Sequence, residues 1–207
     1  RHFDLKPQGR RGNIVFDGDS IVEGHGGEQF MNWARDAMDL SKLDYNCYVV
    51  GRGGATISAQ LAIQSVWLSN VYKSAYPFNI AVIAIGTNDL GNGDTANDIY
   101  TGIQTYISNA NAAGFDVVIA TILPRSSFIG NSKETERISY NNLIRNNFAS
   151  IGAVGIIDWD LEGTMGNTAN VSNTVYYSDG THPTTYGYSL LATFAEQEIE
   201  SIVKSLL

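Results

Sequence analysis

The stretch "IVFDGDSIVEGHGG", residues 14 to 27, places a serine directly after an apolar run. The run is continuous and rich in β-branched residues, which is typical of a strand that is covered on both faces. Gly18, Asp19 and Ser20 end the run, and all three are ordinary turn residues. Because a turn alone explains them, a chemical role for Ser20 depends on partners elsewhere in the chain.

The rest of the chain alternates between short apolar runs and stretches of helical period. The predicted strands are 13–16, 45–50, 79–85, 115–123 and a weaker run at 153–158. The predicted helices are 28–40, 57–72, 98–114, 136–152 and 184–207. This alternation predicts a parallel sheet with helices on both faces, in which ligands gather at the carboxyl ends of the strands. One long irregular segment, 159–178, remains, and such loops are often functional.

Composition and charge limit the partners. A chain of 207 residues with 43% hydrophobic and 16% charged residues suits one globular domain. The net charge of −8 argues against nucleic-acid and anionic-membrane partners, which select basic surfaces. No apolar run approaches the roughly 20 residues that span a bilayer.

We identify no metal-ligand set and expect no cofactor. The single cysteine, Cys47, excludes an internal disulfide and is expected to be buried.

The N-terminal residues 1–12 are polar and lack periodicity, so we interpret them as a lead-in or linker before a single domain at 13–207. The chain starts with Arg1, and no signal-peptide core follows it. We therefore expect a processed protein or a domain excised from a larger one. The scarcity of lysine and the many Asn, Ser, Thr and Tyr residues favour a secreted or extracellular protein.

A serine hydroxyl is a poor nucleophile without a base, and the chain offers three histidines. His2 lies in the N-terminal stretch, and His25 lies in a glycine-rich turn where a place at the rim is expected. His182 lies in "SDGTHPTTYGY", with Asp179 three residues upstream. A carboxylate at that spacing can accept the imidazole Nδ1–H and orient the ring. Taken alone, the segment is equally compatible with a turn that caps the last helix.

Two further strand exits carry possible donors for an oxyanion. The segment "VVGRGGAT", 49–56, has glycines that expose backbone N–H groups, and "IAIGTNDLG", 83–91, carries the Asn88 amide. Each segment also has a simple explanation as a strand-to-helix turn or a cap. All four segments at one edge of one sheet are better explained by a shared site.

These segments resemble, in order and spacing, the four blocks of the SGNH hydrolases, also called the GDSL esterase/lipase family. The matching blocks are "GDSIVEG" at 18–24, "GRGGAT" at 51–56, "GTND" at 86–89 and "DGTHP" at 179–183. The resemblance implies that Ser20 is the nucleophile, His182 the general base and Asp179 the residue that orients it. The product of the first step would be an acyl-enzyme.

The resemblance also implies an oxyanion hole built from the Ser20 N–H, the Gly54 N–H and the Asn88 side chain. Gly54 matches instead of Gly53, because the family block reads Gly-x-Thr. Ile21 stands where the family name has Leu, which is a conservative departure. Asp89 matches a frequent companion of the asparagine, for which we expect a structural role.

The fold that the resemblance implies is a flavodoxin-like three-layer α/β/α sandwich. Its five-stranded parallel sheet has the order 2-1-3-4-5, with Ser20 at the switch between strands one and three. The α/β-hydrolase fold is a rival scaffold, but its Gly-x-Ser-x-Gly elbow is absent at Ser20. An aspartate three residues before the histidine also favours the SGNH arrangement.

For the substrate, we expect short-chain esters, above all O-acetyl groups of carbohydrates. No segment resembles an apolar lid, and Trp159, Tyr176 and Tyr177 stand among polar residues that suit a sugar, although the same rings are compatible with a core. The segment "TILPRSS", 121–127, resembles the strand-four exit of short-chain acetylhydrolases in the family, which places Arg125 at the mouth unless it forms a surface salt bridge. We therefore expect Arg125, Trp159 and Tyr177 to bind substrate.

Two alternatives remain open at this point. The first is a lysophospholipase or thioesterase of the same family. The second is a non-catalytic carbohydrate-binding module on the same fold, against which the complete set of Ser20, Asn88, Asp179 and His182 argues.

Overall fold

The sheet has five parallel strands in the order β2-β1-β3-β4-β5. A computed structural model describes residues 12–27, 34 and 45–206. Its strands are β1 (Gly12–Gly18), β2 (Tyr45–Val49), β3 (Asn79–Ala84), β4 (Asp116–Ala120) and β5 (Ala153–Ile157). The predicted strand order and the flavodoxin-like α/β architecture are confirmed. The connection after β1 leads to β2 on one side of it, and the connection after β2 leads back to β3 on the other side. Ser20, which follows β1, therefore lies where the strand order changes direction.

Helices flank the sheet on both faces. They are α1 (Ser20–Glu23), α2 (Ile57–Val71), α3 (Thr87–Asn92), α4 (Ala96–Ala112), α5 (Ser132–Asn147) and α6 (Thr185–Leu206). Two short 3₁₀ turns, Trp159–Leu161 and Thr168–Asn170, interrupt the irregular segment predicted at 159–178. Within the described residues, no helix has the length and apolar character that a membrane crossing requires.

Successive residues of β1 point into different layers of the core. Ile14 and Phe16 pack in a cluster with α6, whereas Val15 packs in a second cluster with α2, α4 and α5. All three side chains are buried. A strand that is covered on both faces carries a continuous apolar run, which is the pattern seen in the sequence.

The second strand departs from that pattern because it lies at the edge of the sheet. Its last three residues are exposed, and they include Cys47. The expectation of a buried thiol was therefore wrong. The apolar run 45–50 indicates a strand correctly, but it does not distinguish an edge strand from a central one.

Two sequence interpretations lie outside the described residues. The lead-in at 1–12 does so apart from Gly12, which begins β1, and the helix at 28–40 does so apart from Ala34. The other predicted helices are confirmed, with starts that differ by up to four residues.

Candidate active site

Ser20 stands where β1 passes into α1. Asp19 caps the helix, because its Oδ1 accepts the N–H of Ile21 at 2.9 Å. The residue before it must be glycine, since a Cβ at Gly18 would lie 2.1 Å from the carbonyl oxygen of Ala84 on the neighbouring strand. The "GDS" sequence thus lets β1 approach the end of β3 closely and then presents Ser20 as the first residue of a helix.

Ser20, His182 and Asp179 form one line of hydrogen bonds. The Ser20 Oγ lies 2.8 Å from the His182 Nε2, and the His182 Nδ1 lies 2.8 Å from the Asp179 Oδ2. The other carboxylate oxygen, Oδ1, accepts the backbone N–H groups of Thr181 at 2.9 Å and of His182 at 2.8 Å. One tight turn therefore orients both the carboxylate and the ring, as the three-residue spacing predicts.

The charge of Asp179 is stabilised by these contacts. Partial burial works to raise the pKa of this carboxyl, but hydrogen bonds from the backbone and ring of His182 outweigh it and hold the pKa below its ordinary value. The carboxylate therefore stays ionised when the imidazole accepts a proton, and its negative charge stabilises the imidazolium.

Asn88 and the glycine loop at 51–56 lie together. The Asn88 Nδ2 donates to the carbonyl oxygen of Ala55 at 2.9 Å, which uses one of its two hydrogens and leaves the other for a ligand. Within the described part of the chain, the N–H of Gly54 donates to no protein acceptor.

Asp89 has the structural role that was expected, because its carboxylate accepts the N–H of Ile57 at 3.0 Å and thereby fixes the start of α2.

Two buried carboxyls flank Gly18. Burial raises the pKa of Asp19 to about 7, and the nearby Asp89 raises it further, while the hydrogen bond from Ile21 opposes the shift. Burial likewise raises the pKa of Asp17 to about 6, against hydrogen bonds from Tyr106 and Gln60. Neither carboxyl has a contact with Ser20 Oγ or with the ring of His182 among the hydrogen bonds of the described residues.

The three residues predicted to bind substrate have different surroundings. Arg125 is half-buried with its guanidinium 5.1 Å from the ring centre of Phe128, and the next residue, Ser126, donates its N–H to Gly180 beside Asp179. This segment thus adjoins the loop that carries His182. Whether Arg125 touches substrate stays a prediction.

The expectation that Trp159 and Tyr177 bind substrate does not fit their positions in the structure. They are 2% and 1% exposed and belong to the core cluster under α6. The Tyr177 hydroxyl donates to the carbonyl oxygen of Met165 at 2.6 Å. The sequence could not separate a sugar-binding ring from a core ring, because both occur among polar loop residues; here the irregular segment folds over the sheet and buries these two rings.

Sequence reasoning missed Glu23 and Tyr186 beside the site. Glu23 accepts the N–H of Gly53, and the exposed Tyr186 stacks on Tyr176. The position of Glu23, one helical turn after Ser20, was the signal in the sequence, although it does not identify Gly53 as the partner. The ring of His25, which was expected at the rim, lies 5.6 Å from that of His182, centre to centre. In the part of the chain that the structure describes, no group of three or more His, Cys, Asp or Glu residues is arranged to hold a metal ion.

Among known protein families, one matches most of this chain. The sequence profile described as "GDSL-like Lipase/Acylhydrolase family" matches residues 16–190. No curated protein matches the chain.

Solved structures show the same fold at low sequence identity. A member of the lipolytic protein G-D-S-L family from Veillonella parvula superposes with a TM-score of 0.77 at 19% identity, covering 90% of this chain and 97% of that one. A GDSL-like lipase from Bacteroides thetaiotaomicron gives 0.65 at 20% identity, covering 94% and 89%. A catalytic mutant of Axe2, an acetylxylan esterase from Geobacillus stearothermophilus, gives 0.69 at 14% identity, covering 90% and 93%.

Proposed function

We propose that this chain, which belongs to the GDSL-like lipase/acylhydrolase family, hydrolyses short-chain esters of carbohydrates through an acyl-enzyme on Ser20. The family membership makes it a carboxylic ester hydrolase; the residues that act and the substrate are the proposal. The observation that carries the residue assignment is the hydrogen-bonded line from Ser20 Oγ through His182 to Asp179, with 2.8 Å at each step.

In the first half-reaction, the Ser20 Oγ attacks the ester carbonyl carbon while the His182 Nε2 takes the hydroxyl proton. The new bond leaves a negative charge on the former carbonyl oxygen. The N–H groups of Ser20 and Gly54 and the free hydrogen of the Asn88 amide stabilise that charge. His182 then gives its proton to the departing alcohol, and the acyl group remains on Ser20.

In the second half-reaction, a water molecule takes the place of the alcohol. His182 removes a proton from the water as it attacks the acyl carbon, and the same donors hold the second oxyanion. Collapse of this intermediate releases the carboxylic acid and returns the proton to Ser20. Asp179 stays ionised throughout and stabilises each imidazolium.

A stacked pair of tyrosines, of which Tyr186 is exposed and Tyr176 half-buried, supports a sugar as the alcohol. Tyr186, at the start of α6, is 53% exposed, and its ring centre lies 6.0 Å from that of Tyr176. The backbone brings the pair close to the catalytic loop, because Thr184, two residues after His182, donates its N–H to the carbonyl oxygen of Tyr176. Aromatic faces next to hydroxyl groups suit the apolar faces and polar rims of sugar rings. The similarity to an acetylxylan esterase structure is compatible with this class of substrate.

An acetate-release screen tests the proposal. Acetylated xylan, pectin and chitin oligomers are compared with simple aryl esters of two to twelve acyl carbons, using wild type and Ser20→Ala. We expect acetate release from at least one carbohydrate ester, a preference for acetyl over longer chains, and no turnover by Ser20→Ala. A preference for long acyl chains would contradict the substrate assignment and favour a lipase, lysophospholipase or thioesterase.

A further inference from the structure

Glu23 connects the helix of the nucleophile to the glycine loop. It is the last residue of α1, which Ser20 begins. Its Oε2 accepts the backbone N–H of Gly53 at 2.5 Å, and Gly53 directly precedes Gly54. The carboxylate thus connects the helix of Ser20 to the residue that precedes Gly54, and these two residues carry two of the donors proposed for the oxyanion hole.

The same carboxylate oxygen is held from its other side by His25. The His25 Nε2 lies 2.9 Å from the Glu23 Oε2, so the oxygen sits between an imidazole and a backbone amide. His25 is itself fixed through its backbone, because its N–H donates to Ser20 and its carbonyl accepts the hydroxyl of Tyr188 at 2.7 Å. Glu23 therefore has a defined position although its side chain is 40% exposed.

The glycine loop needs such a restraint. Two consecutive glycines, Gly53 and Gly54, give the backbone more accessible conformations than any other pair of residues. Hydrogen bonds fix the ends of the loop: the N–H of Arg52 donates to Gly18 at 3.1 Å, and the carbonyl of Ala55 accepts from Asn88. The N–H of Ala55 also donates to the carbonyl of Arg52 at 3.1 Å and closes a turn around the two glycines. None of these bonds involves the N–H of Gly53 or of Gly54, and the bond from Gly53 to Glu23 restrains the peptide group next to the one that carries the Gly54 N–H.

We propose that Glu23 is a positioning residue that keeps the Gly54 N–H directed at the developing oxyanion. Fixing the peptide plane between Arg52 and Gly53 constrains the next plane, which carries the Gly54 N–H. Glu23 touches no reacting atom and acts only through the loop. The inference rests on the proposed function, because it requires Ser20 and Gly54 to act as assigned there.

Two conservative variants distinguish the effect of the length of the Glu23 side chain from the effect of its charge. Glu23→Asp keeps the charge but shortens the side chain by one methylene, so it no longer reaches Gly53. Glu23→Gln loses the charge but keeps an oxygen that accepts the N–H. An oxyanion contact acts in the transition state, so a misdirected donor lowers kcat more than it changes KM.

The experiment measures kcat and KM for p-nitrophenyl acetate with both variants. The control is Glu200→Gln, on α6, where a half-buried carboxylate pairs with Lys204. We expect kcat to fall about tenfold or more in Glu23→Asp with KM within about twofold, since removal of a whole oxyanion donor costs about 10²–10³. Glu23→Gln is expected to stay within about threefold of wild type, and Glu200→Gln to match wild type.

The pH profile of kcat/KM distinguishes positioning from an electrostatic effect on the nearby imidazole of His182. A positioning role leaves the apparent pKa values unchanged in both variants. Wild-type kcat in Glu23→Asp, equal losses in Asp and Gln, or a shifted pH profile would each overturn the inference. In each of these cases the wild-type enzyme is still active and Ser20→Ala is inactive, so only the inference about Glu23 fails. The proposed function itself fails if Ser20→Ala remains active or if the wild-type enzyme is inactive.

Discussion

The Ser20 Oγ and the His182 Nε2 lie 2.8 Å apart, although 162 positions separate the two residues in the chain. Ser20 follows the first strand, and His182 precedes the last helix. Only a completed sheet, with α6 packed against it, brings these two ends together. The proposed catalytic pair is therefore a product of the whole fold and not of a local motif.

Replacing Asn88 by Ala is expected to reduce kcat toward p-nitrophenyl acetate by about a hundredfold or more. The substitution removes an oxyanion donor and also the hydrogen bond that ties the loop to Ala55. Steady-state kinetics measure the effect, and Asn97→Ala on the exposed surface of α4 is the matched control. A loss below about threefold in Asn88→Ala would remove this residue from the proposed site.

Replacing Asp179 by Asn is expected to reduce kcat by about 10²–10⁴ while the protein stays folded. An amide placed at this position presents a nitrogen or a weaker acceptor to the His182 Nδ1, so the ring loses the tautomer that accepts the Ser20 proton. Kinetics report the loss, and thermal unfolding confirms that the fold is retained. Near-normal turnover would show that the loop alone orients the imidazole.

Replacing Asp17 by Asn is expected to remove a pH-dependent loss of stability. Burial raises the pKa of Asp17 to about 6, so in wild type the folded state binds more protons than the unfolded state between about pH 3.8 and 6. The contribution of this carboxyl to the free energy of unfolding falls as pH rises through that window. A shift of this size corresponds to about 3 kcal/mol.

Urea unfolding at pH 4, 5, 6 and 7 measures the difference. The stability of Asp17→Asn relative to wild type should increase from pH 4 to 6 and then stay level. Asp94→Asn, on the exposed surface, is the control for removing one negative charge. A difference between Asp17→Asn and wild type that does not change with pH would contradict the expected titration.

Replacing Asp160 by Asn is expected to destabilise the protein by about 2–4 kcal/mol at pH 7. Its carboxylate pairs with Arg137 and with Arg145. Burial works to raise the pKa of Asp160, but hydrogen bonds from Arg145 and Arg137 outweigh it, so the pKa lies below its ordinary value. This stabilisation is present above about pH 3.8 and is lost as pH falls through the folded pKa.

The check is thermal or urea unfolding of wild type and Asp160→Asn from pH 7 down to pH 3. The gap between them should be constant down to about pH 5 and should narrow below about pH 4. A gap of the same size at pH 3 as at pH 7 would mean that the ion pairs contribute nothing and that only packing was lost.

Much of the fold could be predicted from the sequence, because it depends on local patterns. A strand such as β3 that is covered on both faces carries a continuous apolar run, and helices such as α4 end where Gly114 has a positive φ of 93°. The pairing of Asp179 with His182 was also accessible, since three residues fit one turn.

The errors concern burial, which depends on packing between distant segments. The pattern at 45–50 does not reveal that β2 is an edge strand, and the composition of 159–178 does not reveal that Trp159 and Tyr177 turn inwards. The contact between Glu23 and Gly53 joins helix α1 to the glycine loop, and the sequence does not identify these two residues as partners. Such features follow from tertiary packing and not from periodicity or spacing.

Covalent labelling of Ser20 tests the proposed catalytic pair most directly. Wild type and Ser20→Ala are treated with a fluorophosphonate, the adduct is located by mass spectrometry, and p-nitrophenyl acetate hydrolysis is measured in parallel. We expect a single adduct on Ser20 in wild type, and no adduct and only background hydrolysis in Ser20→Ala. Hydrolysis at the wild-type rate by Ser20→Ala, or an adduct on another serine, would contradict the claim that Ser20 and His182 form the catalytic pair.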